Sequence, residues 1–133
     1  RREASSGEQI DQPEVSESIV FAAREEVLTL HMSDAVEEYI VQLIMATRQP
    51  EAYSSELASW IEYGASPRAT IGLDRCARAH AWLLGKDFVS PDDVKAMAHD
   101  VLRHRLVVSY DGEISGVTAD DVIDKLLELV PIA

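Results

Sequence analysis

The sequence predicts a mainly α-helical domain, namely a bundle of five or six helices with one short β contact. The chain has 133 residues, of which 47% are hydrophobic, enough for a core of its own. Apolar residues recur at spacings of three and four in four segments, and helix-starting residues precede them. No internal repeat or long heptad array occurs, which excludes a solenoid or a coiled coil.

Two segments combine a start signal with a clear apolar face. Ser33 can cap a helix, because its hydroxyl accepts a hydrogen bond from a free N–H group of the first turn. The apolar face of that helix comprises Val36, Tyr39, Ile40, Leu43, Ile44 and Thr47. Ser90 can cap a second helix, with Pro91 at its first position and Asp93 completing a capping box. Its apolar face comprises Val94, Met97, Ala98, Val101 and Leu102.

The remaining helices are predicted from the same signals. Thr118 and Asp121 repeat the start signal ahead of a further apolar face: Val122, Ile123, Leu126 and Leu127. A longer helix is expected at residues 67–84, with its core face at Leu73, Cys76, Ala77, His80 and Leu84. Weaker patterns predict helices at residues 16–28 and 54–63.

The helical spacing stops between Leu106 and Val117. Residues 106–108 are β-formers that lead into Tyr110-Asp111-Gly112, which predicts a short strand and a turn, or an extended arm. Residues 28–31 are the other short stretch of this kind. A small β contact between the two stretches is therefore predicted.

Charge and composition exclude several classes of function. The net charge is −12, from 24 acidic and 12 basic residues, so a basic face for nucleic acid is not expected. No apolar run approaches the roughly 20 residues that span a membrane. The single cysteine, Cys76, is typical of a reducing compartment, so we expect a cytoplasmic protein. From the charge and the hydropathy we expect neither a nucleic-acid partner nor a membrane partner. Residues 1–15 read as a linker and residues 16–133 as the folded domain.

The sequence carries no complete catalytic or phosphate-binding motif. Gly85-Lys86 looks like the end of a phosphate-binding loop, but Asp87 replaces the Ser or Thr that would bind magnesium. Gly85 is instead expected to end a helix. Cys76 and His80 could share a helix face, but a zinc site needs three or four ligands and no metal site is predicted. We expect His80 to be a core histidine bonded to a backbone carbonyl. Because no catalytic motif is complete, we also expect that the chain alone is not an enzyme.

The helix at residues 67–84 has a second stripe opposite its core face. It comprises Arg68, Ile71, Arg75, Arg78 and Trp82. At about 100° per residue these side chains stay within a sector of roughly 80°. One interpretation is a solvated face whose arginines pair with nearby acidic residues. We favour the other, a surface for a protein partner, because Ile71 and Trp82 are unfavourable in water.

Arg68 is the strongest candidate for binding a ligand. Ser66-Pro67 starts the helix, which puts Arg68 in the first turn beside free backbone N–H groups. An arginine at this end opposes the helix dipole, at a cost of about a few tenths of a kcal/mol unless an anion is near. The guanidinium is suited to an anion such as a terminal phosphate.

Five segments form an ordered set of motifs. They are Ala46-Thr47-Arg48, Gly64-Ala65-Ser66-Pro67-Arg68-Ala69, Gly85-Lys86-Asp87-Phe88-Val89-Ser90-Pro91-Asp92-Asp93-Val94, Asp100-Val101-Leu102-Arg103-His104-Arg105-Leu106 and Gly116-Val117-Thr118-Ala119-Asp120-Asp121-Val122. In this order they resemble the C-terminal lid of the MoxR family of AAA+ ATPases, over roughly residues 16–133. The resemblance implies a helical lid beside an ATP-binding α/β core, with residues 1–15 as the connector from that core.

The resemblance also implies a role for Arg68. In such ATPases an arginine at the start of a lid helix, the sensor-2 arginine, reaches the γ-phosphate, and Arg68 matches that position. The lid of one subunit can serve its own nucleotide or a neighbour's, and the sequence leaves both open. ATP and Mg²⁺ would be held mainly by the core, which this sequence lacks, so no tightly bound cofactor is expected on this chain.

The partners that the resemblance implies are the ATPase core and neighbouring AAA+ subunits in a ring, expected to be a hexamer. A von Willebrand factor A domain protein is a further implied partner, in a chaperone-like machine that matures metalloenzymes or complexes. From the residues alone a second function remains open. It is a free-standing acidic helical adaptor that binds a partner protein through the Arg/Ile/Trp face of residues 68–82.

Overall fold

The computed structural model of the chain describes residues 16–132 and has seven α-helices within that range. The helices are α1 (Glu17–Thr29), α2 (Asp34–Arg48), α3 (Ser55–Trp60), α4 (Ala69–Leu83), α5 (Pro91–Leu102), α6 (Tyr110–Ile114) and α7 (Ala119–Leu129). The strands are β1 (His31–Met32), β2 (Ile61–Tyr63), β3 (Phe88–Val89) and β4 (Val107–Val108), and a 3-10 turn covers Pro50–Ala52. The mainly α-helical bundle is confirmed. The predicted linker at residues 1–15 lies outside the described residues.

The predicted helix starts are confirmed by their capping bonds. The Ser33 hydroxyl accepts the Val36 N–H at 3.3 Å and begins α2. The Thr118 hydroxyl accepts the Asp121 N–H at 3.1 Å, and the Asp121 carboxylate accepts the Thr118 N–H at 2.9 Å in return. These bonds satisfy N–H groups that have no partner within a helix, which is why such residues mark helix starts.

The core lies between α2, α4, α5 and α7 and contains most of the predicted apolar faces. All six residues of the predicted α2 face are buried: Val36, Tyr39, Ile40, Leu43, Ile44 and Thr47. α4 packs along α5, while α7 contacts both α2 and α5. Burying these faces removes apolar surface from water and supplies the main driving force for folding.

Three local predictions were wrong. The helix predicted at residues 54–63 ends at Trp60, because Ile61–Tyr63 pairs with β4 as a strand. Tyr110, Asp111 and Gly112 begin α6 instead of forming a turn, because the Ser109 hydroxyl accepts the Gly112 N–H at 3.0 Å and caps a helix there. Leu84 does not face the core, since α4 ends at Leu83 and leaves Leu84 63% exposed.

The β contact differs from the prediction in its pairing. β1 pairs with β3 in parallel, and β2 pairs antiparallel with β4. Residues 28–31 lead into β1 and residues 106–108 include β4, but these two strands, which were predicted to pair, do not pair with each other. The β1–β3 pair joins the end of α1 to the turn after α4, and the β2–β4 pair joins α3 to the segment after α5.

Gly85 ends α4 as the sequence predicts. Its φ angle is +76°, a left-handed backbone conformation that favours glycine, and its N–H donates to the Trp82 carbonyl at 2.9 Å. None of the helices in residues 16–132 is long and apolar enough to cross a membrane. Within the same range, no three His, Cys, Asp or Glu side chains are grouped as a metal site would require.

Candidate functional site

The loop that leads into α4 is fastened to the last turn of α2. The N–H of Ala65 donates to the Thr47 hydroxyl oxygen at 2.9 Å, and its carbonyl accepts from Nη1 of Arg48 at 3.2 Å. Ala65 itself is completely buried. Both backbone polar groups of one loop residue are therefore bonded to α2, which leaves this part of the loop little freedom.

Gly64 allows that close approach. A Cβ atom added at Gly64 would lie 2.2 Å from the carbonyl oxygen of Thr47 and 2.8 Å from the backbone nitrogen of Arg48. Both are main-chain atoms and cannot rotate aside. The contact with α2 therefore requires glycine at this position. The φ angle of Gly64 is not positive, so backbone conformation is not the reason.

Arg68 lies at the end of this loop, at the N-cap position of α4, and is exposed. Its backbone N–H donates to the Ser66 hydroxyl at 3.1 Å. The N–H groups of the next three residues bond to backbone carbonyls within a tight first turn, namely Ala69 to Ser66, Thr70 to Pro67 and Ile71 to Arg68. The expectation of free N–H groups beside Arg68 was therefore wrong, because a 3-10-like turn uses them. Attraction for an anion here comes from the guanidinium and the helix dipole.

A shallow groove of about 380 Å³ runs between α2 and α4 next to this loop. Its lining mixes apolar and charged side chains: Glu37, Ile40, Val41, Thr70, Ile71, Asp74 and Arg75. Ile71 is 51% exposed and Arg75 is also exposed. Two residues of the predicted interface are therefore accessible to a partner.

Arg78, the third residue of the predicted interface, is used within the chain. Its Nε donates to the Asp74 carboxylate at 2.6 Å, and its Nη1 donates to the carbonyl of Leu30 at the end of α1. Its side chain is only 15% exposed. An arginine at a helix C-terminus also interacts favourably with the dipole, so Arg78 holds α1 against α4.

Trp82, the fourth, lies half-buried against α1. Its indole N–H donates to the Glu26 carboxylate at 2.9 Å. The side chain points away from the main core, as the helical spacing predicts, but α1 covers part of it. Whether the stripe meets a partner protein stays a prediction.

Beside Trp82, α1 and α4 form a larger groove that the sequence analysis missed. Its volume is about 790 Å³, and its lining is mostly apolar: Ile19, Val20, Phe21, Ala23, Arg24, Glu25, Val27, Leu28, Arg75, Ala79, Trp82 and Leu83. No residue of α1 is buried. The signal in the sequence was the run of three apolar residues at 19–21, which places apolar side chains on several sides of one helix, as in helices covered on more than one side.

Asp93 forms a buried ion cluster at the start of α5. Its carboxylate is 1% exposed and binds Nδ1 of His80 at 2.7 Å and Nζ of Lys86 at 2.6 Å. It also accepts the Ser90 N–H at 2.8 Å, as the predicted capping box requires. The expectation that His80 bonds a backbone carbonyl was wrong, because this carboxylate lies within reach across α4 and α5. The same carboxylate binds Lys86, which belongs to the Gly85-Lys86 pair that looks like part of a phosphate-binding loop.

The Asp93 cluster predicts a pH-dependent contribution to stability. Burial alone raises the pKa of Asp93, but hydrogen bonds from Lys86, Ser90 and His80 outweigh it and lower the pKa to about 2. The carboxylate therefore stabilises the fold above about pH 4, by about 2 kcal/mol, and this contribution disappears as the pH falls through 2. Urea unfolding of Asp93→Asn should show a deficit of this size at pH 7 that shrinks towards pH 2. Asp87→Asn, an exposed neighbour, should show none.

Comparison with known proteins identifies the class. The AAA lid domain family matches residues 55–126. "Chaperone MoxR1" of Mycobacterium tuberculosis is 40% identical over 99 residues, which cover 74% of this chain and 26% of the relative. "Protein MoxR" of Paracoccus denitrificans is 38% identical over 84 residues, covering 59% of this chain and 25% of that protein. A crystal structure from Cytophaga hutchinsonii, named a "putative ATPase", has a TM-score of 0.85 at 40% identity and covers 90% of this chain and 36% of its own.

The chain belongs to the AAA lid domain family, because the family match covers more than half of it. Within that family it is a lid of the MoxR type, as its relatives' names and the shared fold indicate. The chain spans about a quarter to a third of the length of these relatives.

Proposed function

We propose that this chain is the lid of a MoxR-type AAA+ ATPase and that Arg68 acts as the sensor-2 arginine on the γ-phosphate of ATP. One observation above all supports this. Arg68 is an exposed arginine at the start of α4, on a loop that Thr47 and Arg48 hold in place. A positioned, permanently charged guanidinium can stabilise charge that develops on a transferring phosphoryl group.

The rest of the nucleotide site lies outside this chain in the proposal. Mg²⁺ and the backbone cradle for the phosphates would come from an α/β core joined to residues 1–15. One exposed arginine cannot replace such a cradle, so the chain alone is not an ATP hydrolase. Arg68 serves either the nucleotide of its own subunit or that of a neighbour. The test is ATP hydrolysis by the longer protein with and without the Arg68 side chain.

The partners belong to the same proposal. Ile71 and Arg75 of α4 and the apolar groove between α1 and α4 supply accessible surface for the ATPase core and for neighbouring subunits of a ring, proposed to be a hexamer. Large exposed apolar patches mark sites of protein–protein interaction. A chaperone-like role in the cytoplasm, with a von Willebrand factor A domain partner, follows from the MoxR likeness alone.

A second candidate function is a free-standing acidic adaptor. The observation that favours it is the α1–α4 groove, which would bind a partner helix whether or not a nucleotide is present. The two candidates differ in the natural gene. A phosphate-binding loop upstream of residue 1 supports the lid, and its absence supports the adaptor.

Trp82→Ala tests the docking surface. In the isolated chain we expect a loss of about 1 kcal/mol or less, because the indole is only half-buried and its hydrogen bond is to Glu26 on the outer helix α1. In the longer protein the same change should weaken ATP-dependent assembly, since an interface aromatic shows its effect only with the partner present. Thermal unfolding and sedimentation measure the two effects.

Tyr110→Ala is the matched control, because Tyr110 is an exposed aromatic on α6, which does not line the groove. It should change neither stability nor assembly. A large loss of stability in Trp82→Ala, together with normal assembly, would make Trp82 an ordinary core residue.

A further inference from the structure

The last turn of α2 and the loop before α4 are two separate motifs in the sequence and one unit in the structure. We infer that Thr47 is a positioning residue for Arg68, assisted by Arg48. Through Ala65 it fixes where the first turn of α4 presents the guanidinium. The inference depends on the proposed role of Arg68 in ATP turnover.

Thr47 is oriented by using its hydroxyl twice. The hydroxyl donates to the carbonyl of Ile44 at 2.6 Å and accepts the N–H of Ala65 at 2.9 Å. Thr47 is 1% exposed among apolar neighbours, where water does not compete for these bonds. A valine has nearly the same shape but can make neither bond, whereas a serine can make both.

The connection from Ala65 to Arg68 is short and stiff. Only Ser66 and Pro67 intervene, and the proline ring fixes its own φ angle. The Ser66 hydroxyl accepts the Arg68 N–H at 3.1 Å, and the Ser66 carbonyl accepts the Ala69 N–H at 2.8 Å. A shift of Ala65 should therefore also move the first turn of α4, because the two residues between them have little conformational freedom.

The axis of α4 is held independently of Thr47. Leu73, Ala77 and Ala81 are completely buried along the helix and fix its packing on the core. Losing the Thr47 hydroxyl should thus leave the helix in place and displace mainly its first turn. A misplacement of about 1 Å at a reacting group can slow an enzyme about 100-fold. We therefore expect the effect of Thr47 in turnover more than in binding of ATP.

The experiment measures ATP hydrolysis by the longer ATPase that contains this chain, in Thr47→Val, Thr47→Ser, Arg68→Ala and the double variant Thr47→Val/Arg68→Ala. We expect Thr47→Val to lower kcat about tenfold or more with KM within about twofold, and Thr47→Ser to restore kcat. The double variant should be no slower than Arg68→Ala alone, because a residue that acts through Arg68 has nothing to act on without it.

Each other outcome has a definite meaning. Thr47→Val at the wild-type rate beside a slow Arg68→Ala overturns the inference and leaves the proposed function intact. So does a double variant whose losses multiply, which would mean that Thr47 acts elsewhere. Arg68→Ala at the wild-type rate overturns the proposed function, and the inference with it.

Arg48→Met keeps the test decisive if Thr47→Val does not fold. Arg48 is exposed, and the change removes its bond to the Ala65 carbonyl while keeping an apolar stem. We expect a smaller loss of kcat than in Thr47→Val, again absent when Arg68 is already alanine. A loss that persists in the Arg68→Ala background would count against the inference that Thr47 and Arg48 act through Arg68.

Discussion

Arg68→Ala in the longer ATPase is expected to slow ATP turnover about 10²- to 10³-fold while the lid stays folded. Removing one preorganised charge that acts on a transition state typically has an effect of this size. The fold should survive because Arg68 is exposed and no hydrogen bond of its side chain is found within residues 16–132. Affinity for ATP should fall less than turnover, since the core supplies most phosphate contacts in the proposed arrangement.

The measurement is steady-state hydrolysis together with thermal unfolding of the isolated chain. Arg105→Ala is the control, an exposed arginine that follows α5 and lines neither of the two grooves. It should leave kcat much less affected. Arg68→Lys should be intermediate, because lysine retains the charge without the planar fork of donors. An Arg68→Ala enzyme with the wild-type kcat would show that Arg68 is not the sensor.

Gly64→Ala is expected to destabilise the chain by about 3 kcal/mol or more. The new methyl group would lie 2.2 Å from the Thr47 carbonyl oxygen, so the loop or the end of α2 must move. That movement would break or stretch the bonds from Ala65 to Thr47 and Arg48. For a chain of this size the melting temperature should fall by about 10 °C.

Gly72→Ala provides the control for that prediction. Gly72 lies within α4, and its added methyl would meet Val101 at 3.8 Å, an ordinary contact. Alanine favours a helix over glycine by about 1 kcal/mol, so this variant should be as stable as the wild type or more so. If both variants melt at the same temperature as the wild type, the close approach at Gly64 does not constrain the loop.

Much of the helical framework was predictable from local sequence. The starts of α5 and α7 follow from pairs of capping residues three positions apart, the start of α2 follows from Ser33, and their buried faces follow from the helical period. Arg68 was also identifiable as the start of α4. Signals of this kind are short-range, because both partners lie within one or two turns of the same helix.

The tertiary contacts around the candidate site were not predictable in this way. Thr47 could be assigned to a buried face, but its bond to Ala65 joins residues 18 positions apart. A threonine among apolar residues indicates that the hydroxyl needs a partner without saying which one.

The sequence by itself determined the positions of α1 to α5 and of α7, and that of Arg68, because these depend on residue types at close, regular spacing. Its motifs also carried the resemblance to the MoxR-type lid. Only the tertiary structure decided the pairing of β1 with β3 and β2 with β4, the Asp93 cluster and the groove between α1 and α4. Strands of two or three residues carry too few side chains to specify a partner. A buried carboxylate binds whichever cations the packing of other helices brings within about 3 Å, and that packing is the result of the whole core.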